Sequence, residues 1–166
     1  MRKSGVSAVD WPTDSWLDPV ALPGDDGTSL SVRLLPGDAH PFVLVHGLAS
    51  NALLWREVAE QLNRQGHPVA CVDLRGHGRS ERPQAGYSTA VAALDLGALL
   101  TGLGWDDLDP IAAGQSWGGN VVLELAFRHP DSVSAIVCVD GGFIDLGDRF
   151  PEWDDAASVL APPRLA

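Results

Sequence analysis

Ser116 sits in the run Gly114-Gln115-Ser116-Trp117-Gly118, with a second glycine at position 119. A short apolar stretch ends at Gly114, and a helical pattern from Val121 to Phe127 stops before Pro130. A serine flanked by glycines, between a strand and a helix, is the arrangement that presents a nucleophile. On so tight a turn the serine adopts a strained backbone, and side chains at 114 and 118 would strike the strand and the helix; glycine removes them. The Ser116 hydroxyl then stands above the carboxyl end of the sheet. The Trp117 N–H, at the start of a helix, faces the place where an oxyanion would form. The residue pattern alone also fits a glycine-rich connector with an incidental serine.

The elements that would hold this turn follow from periodicity. Apolar runs at Trp16–Leu22 and Ser29–Leu35 flank Pro-Gly-Asp-Asp-Gly, which is strong turn chemistry and predicts an antiparallel hairpin. Continuous apolar runs at 41–46, 68–73, 110–114 and 134–139 predict strands, the first two buried on both faces. Between them, Ser50 or Asn51 caps a helix over 52–64, with Leu54, Val58, Ala59 and Leu62 on its apolar face and Gly66 as its stop. Ser88 caps a second helix, to about Leu100, with Val91, Leu94, Ala98 and Leu99 on one side. The stretch Leu74–Tyr87, rich in glycine and proline, reads as a loop, and 153–160 as at best a weak helix. Repeated strand–helix units imply an α/β fold: a mostly parallel, doubly wound sheet with an N-terminal antiparallel hairpin. Residues 1–14 read as a loose N-terminal segment, 15–145 as the core and 146–166 as the start of a further region.

Composition narrows the function. The chain of 166 residues has 11 basic and 22 acidic side chains, a formal net charge of −11, and no basic stripe for nucleic acid. No apolar stretch spans a membrane, and no apolar segment follows Arg2-Lys3, so a cytoplasmic protein is expected. The acidic pairs Asp25-Asp26, Asp106-Asp107 and Asp154-Asp155 read as solvated surface, with no metal site or cofactor implied. Cys71 and Cys138 lie in apolar strand-like runs and are expected to be buried free thiols, a disulfide or metal pair being the alternative.

Four segments together resemble the α/β-hydrolase family: Val43-Leu44-Val45-His46-Gly47-Leu48, Asp73-Leu74-Arg75-Gly76-His77-Gly78-Arg79-Ser80, Gly114-Gln115-Ser116-Trp117-Gly118-Gly119 and Val139-Asp140-Gly141-Gly142. They keep the family's order and cover about residues 15–145. The resemblance implies a serine hydrolase acting on an ester, thioester or related small acyl substrate. Ser116 would attack, the N–H groups of Leu48 and Trp117 would hold the oxyanion, and His46, Gly47, Gly114 and Gly118 would support them. It also implies that dehalogenases and epoxide hydrolases of the family carry aspartate where Ser116 stands. Perhydrolase, C–C hydrolase or lyase chemistry stays open, as does an inactive, ligand-binding remnant.

A serine nucleophile needs a base, and the base an orienting acid. The family order is Ser, then acid, then His. The sole histidine after Ser116 is His129, three turns along the elbow helix and pointed away. His46 and His77 read as loop-ordering residues, His129 as a helix-end cap, and His40 and His67 as surface groups. Asp140 is the acid the resemblance offers, with an Asp-Gly-Gly turn as the alternative; Asp145 and Asp148 are further loop candidates. The family's last strands are missing, so the chain is expected to be the N-terminal part of a larger hydrolase. It is also expected to self-associate through the bare edge of the 134–139 strand.

Overall fold

The computed structural model describes residues 16–142. Six strands form one sheet: β1 (Val20–Pro23), β2 (Ser29–Leu35), β3 (Phe42–Val45), β4 (Val69–Val72), β5 (Ile111–Gln115) and β6 (Ala135–Val139), in the spatial order β1-β2-β4-β3-β5-β6. The hairpin β1–β2 and the pair β2–β4 are antiparallel; β4, β3, β5 and β6 run parallel. Three helices cover the sheet: α1 (Arg56–Arg64), α2 (Thr89–Leu103) and α3 (Trp117–Arg128).

The central strands are apolar throughout because both faces are covered. Side chains alternate between the faces. Val43, Val45, Ala70, Val72 and Ala112 pack with α2 and α3, whereas Leu44, Val69, Cys71 and Ala113 pack with Ala52, Trp55 and Ala59 around α1. From β3 the chain crosses over α1 to β4, on one side; from β5 it crosses over α3 to β6, on the other. The neighbouring strands β3 and β5 therefore diverge at their carboxyl ends, the crevice where open α/β sheets bind ligands.

Helix boundaries follow local chemistry, but helix faces do not. Asn51 accepts from the Leu53 N–H at 3.0 Å and caps a short 3-10 turn (Ala52–Trp55) ahead of α1. Ser88 caps α2, which runs past Leu100 to Leu103 because Gly104, at φ 66°, donates back to Leu100 and Thr101 and closes the last turn. The expected apolar face of α1 is rotated: Ala59 is buried, but Leu54 and Val58 are 50% and 45% exposed, because the 3-10 turn shifts the register and puts Trp55 inward instead. In α2 the buried stripe is Ala92, Ala93, Leu96, Leu99, Leu100 and Leu103, while Val91, Leu94 and Ala98 are half-buried. The helix after the elbow begins at Trp117, so the two glycines at 118 and 119 are helical. Cys71 is buried and Cys138 half-buried, and both are free thiols. The expected 153–160 helix, the loose N-terminal segment 1–14 and the 146–166 region lie outside the described residues.

Candidate active site

Strand register brings the key residues together. Val45 pairs with Gly114 across β3 and β5, so Gly47 and Ser116 emerge side by side two residues later. A Cβ added to Gly47 would lie 2.9 Å from the Ser116 Cβ and 2.8 Å from Gln115 Oε1. Ser116 has φ 51° and ψ −121°, a backbone region that a residue with a side chain seldom enters. Its N–H donates to the Val139 carbonyl at 2.9 Å, and a Cβ on Gly141 would overlap the Ser116 carbonyl. At Gly114 an added Cβ would overlap the Gly118 carbonyl; at Gly118 it would overlap the Val45 carbonyl and come within 2.6 Å of the His46 oxygen. The elbow is therefore packed backbone to backbone between the ends of β3 and β6.

Among the described residues, three of the four non-glycine residues with positive φ follow β3, β5 and β6 at this one edge: Ala49, Ser116 and Asp140. Strain concentrated in this way is a mark of functional sites. Ser116 is half-buried, and among the described residues its hydroxyl takes part in no hydrogen bond. As the first residue of α3, Trp117 carries one of the N–H groups that a helix leaves without a carbonyl of its own.

Leu48 lies in a segment fixed at both ends. The buried His46 ring donates from Nδ1 to the Gly47 carbonyl at 2.7 Å and accepts the Leu74 N–H at Nε2, 3.1 Å away. Asp73, also buried, accepts the Ala52 N–H at 2.7 Å, the Arg79 N–H at 3.1 Å and Arg33 at 3.0 Å. Burial pushes the Asp73 carboxyl up, but these donors outweigh it and hold it below the usual range. Burial pushes the Cys71 thiol up, which leaves it inert.

The two bonds fix His46 as the neutral Nδ1–H tautomer, and burial depresses its pKa to about 4. An unfolded histidine titrates near 6.5. Between those values the unfolded chain takes up the proton and the folded one does not. Stability from His46 is thus complete above about pH 6.5 and declines as pH falls toward 4, by about 3 kcal/mol in total. Urea melts at pH 7, 6 and 5 are expected to follow that slope, and His46→Gln to flatten it. Equal slopes in the two chains would show that His46 is not the titrating group.

The other histidines are engaged elsewhere. His77 donates from Nδ1 to the Arg75 carbonyl at 2.9 Å, His67 bonds the His40 carbonyl at 2.6 Å, and His40 meets Ser134 Oγ at 3.1 Å. His129 follows α3 and lies beside Gly97 of α2. None hydrogen-bonds Ser116. Asp140 is exposed, with φ 50°, at the turn after β6; its neighbours Val139 and Gly141 are the residues that touch Ser116. Asp145 and Asp148 lie outside the described residues.

Two ion networks escaped the sequence reading. Arg75 is fully buried and binds Asp95 through Nε and Nη2 at 2.6 and 2.7 Å and Asp26 at 3.1 and 3.2 Å. The pairing raises the Arg75 pKa and holds the Asp26 carboxyl well below the usual range. Arg33 pairs with Asp73. The available signal was an aspartate between Leu94 and Leu96 on an apolar helix, and an arginine inside an apolar strand. Among the described residues there is no group of metal-ligating side chains, and no helix is long and apolar enough to cross a membrane.

The profile of the alpha/beta hydrolase fold matches residues 40–162. A soluble epoxide hydrolase of Corynebacterium sp. (strain C12) is 37% identical over 117 residues, which are 69% of this chain and 40% of that protein. The lipase LipV of Mycobacterium tuberculosis is 38% identical over 132 residues, 79% of this chain and 48% of the lipase. Among solved structures, an esterase from Exiguobacterium antarcticum superposes with a TM-score of 0.70 at 26% identity, covering 76% of this chain and 46% of the esterase. The chain thus spans about half the length, or less, of the curated relatives it matches. The strand order, the elbow and a match over most of the sequence make the chain a member of the α/β hydrolase fold family of enzymes.

Proposed function

We propose that residues 16–142 are the nucleophile-bearing half of a serine hydrolase that acts on a small ester, thioester or related acyl substrate. Ser116 attacks the acyl carbon, and the Leu48 and Trp117 N–H groups receive the developing oxyanion. The observation that carries this reading is Ser116 at φ 51°, held against Gly47 by backbone on three sides. The chemistry of position 116 favours an acyl substrate over an epoxide or alkyl halide. A serine oxygen that opens an epoxide or displaces a halide forms an ether, which water does not cleave. One that attacks an acyl carbon forms an ester, which water does. The general base is to come from further chain, since the five histidines here are engaged or remote; Asp140, beside the elbow, is the acid this reading offers. A cytoplasmic location goes with it, supported by two unpaired thiols.

A fluorophosphonate probe tests the assignment. A chain extended to include the base should be labelled at Ser116, read by peptide mass spectrometry, and Ser116→Ala should lose all labelling; the 166 residues alone should be labelled far more slowly. Ser116→Gly should also lose it, yet raise the urea midpoint, because glycine relieves about 1–3 kcal/mol of backbone strain. A midpoint unchanged in Ser116→Gly would deny the strain. The second reading is a ligand-binding module without turnover, favoured by the absence of a histidine on the Ser116 hydroxyl. Labelling separates the two.

We also propose self-association through β6, whose Val137 and Val139 are 46% and 43% exposed on the outermost strand described. Val137→Lys should lower the apparent mass in sedimentation. A monomeric wild type would dispose of this.

A further inference from the structure

The Trp117 side chain is held at two points that the proposed chemistry does not use. Its indole Nε1–H donates to Thr89 Oγ1 at 3.0 Å, and Thr89 is the first residue of α2. Its ring lies 6.1 Å, centroid to centroid, from that of His77. His77 is in turn anchored by its Nδ1–H on the Arg75 carbonyl, and its ring stands 5.0 Å from that of His46. The Arg75 side chain is locked by Asp95. One contiguous brace therefore joins α2, the loop after β4, the end of β3 and the elbow.

The brace falls where the backbone most needs it. Between Ser116 and Asn120 the residues are Trp117, Gly118 and Gly119. Both glycines are permissive, so the first turn of α3 is tied by two side chains: Asn120, whose Oδ1 accepts the Gly142 N–H at 3.0 Å on the β6 side, and Trp117, which reaches α2 and His77. A donor that stabilises an oxyanion must be oriented before the reaction, not during it. We propose that Thr89 and His77 are positioning residues for the oxyanion hole, acting through the Trp117 side chain on the direction of its backbone N–H. This rests on the assignment of Ser116 and the Trp117 N–H made above.

The test uses the same extended, base-bearing chain and a fluorophosphonate of fixed structure, with the labelling rate measured against probe concentration. Thr89→Val replaces the hydroxyl by a methyl of nearly the same shape. It should lower the saturating rate about three- to tenfold, the worth of one hydrogen bond, without moving the half-saturating concentration. Thr89→Ser should restore the rate. The Trp117 indole proton resonance, identified by its loss in Trp117→Phe, should move in Thr89→Val and return in Thr89→Ser. His77→Ala should move it too, and His77→Phe, which keeps a ring, should reverse the change. A Thr89→Val chain labelled at the wild-type rate with its indole resonance displaced would overturn the proposal, as would a loss that Thr89→Ser fails to rescue. If the wild type is not labelled, the Ser116 assignment falls, and the brace is judged by the Trp117 backbone amide alone. A shift and faster hydrogen exchange of that amide in both Thr89→Val and His77→Ala support it; an unmoved amide refutes it.

Discussion

Gly114→Ala should leave the chain unable to reach its native fold. The added methyl overlaps the Gly118 carbonyl and stands 2.6 Å from the Gly119 nitrogen. These are backbone atoms in the first turn of α3, so no rotamer change relieves the overlap. The helix cannot retreat either, because Gly118 is already against the Val45 and His46 carbonyls and Gly119 would bring a Cβ within 2.7 Å of the Gly142 nitrogen. β3 and β6 thus block movement in both directions. The expected loss is at least about 4 kcal/mol, the size reserved for a few severe mechanisms, out of a total of about 5–15 kcal/mol. Far-UV circular dichroism and a urea melt would read it as a lost or strongly lowered transition. Gly102→Ala is the contrast: that glycine is exposed inside α2 with nothing within 4 Å of an added Cβ. It should gain up to about 1 kcal/mol from helix propensity alone. A Gly114→Ala chain that melts like the wild type would mean that the elbow is not packed as described.

Asp95→Ala should cost about 3–5 kcal/mol, because it strands a buried guanidinium. Arg75 and Asp95 are each fully buried, and Asp95 takes two of the arginine's hydrogen bonds. The remaining partner, Asp26, has a side chain 53% exposed and cannot offset the loss. Asp26→Ala should therefore have a much smaller effect. Replacing both partners with apolar residues, Arg75→Met with Asp95→Leu, should recover most of the loss, since such exchanges are often neutral or stabilising. Urea midpoints of the three variants decide the matter. Equal losses in Asp26→Ala and Asp95→Ala would contradict the burial asymmetry. The pair also supports the site: it joins α2 to the loop that carries His77, two residues after Arg75.

Much of the architecture and the elbow was legible before any coordinates. Pro-Gly-Asp-Asp-Gly dictates a turn, four apolar runs dictate strands, the first two of them covered on both faces, and glycines at 114 and 118 dictate a bend around Ser116. All three are local: the residues that cause the structure are within a few positions of it. The face of α1 was not legible, because a 3-10 turn ahead of it rotates the register by an amount that periodicity does not carry. Nor was the role of Asp95, which reads as a misplaced charge until Arg75 arrives from 20 residues away. Nothing local marks Thr89, which follows the cap Ser88; its partner, the Trp117 indole N–H, comes from 28 positions on. The sequence by itself determined which segments are strand, helix and turn, and where a serine is pressed out of the regular backbone. Tertiary structure alone decided which charges neutralise each other and which side chains hold the elbow. Those choices depend on distances between segments remote along the chain, and only the closed sheet sets them.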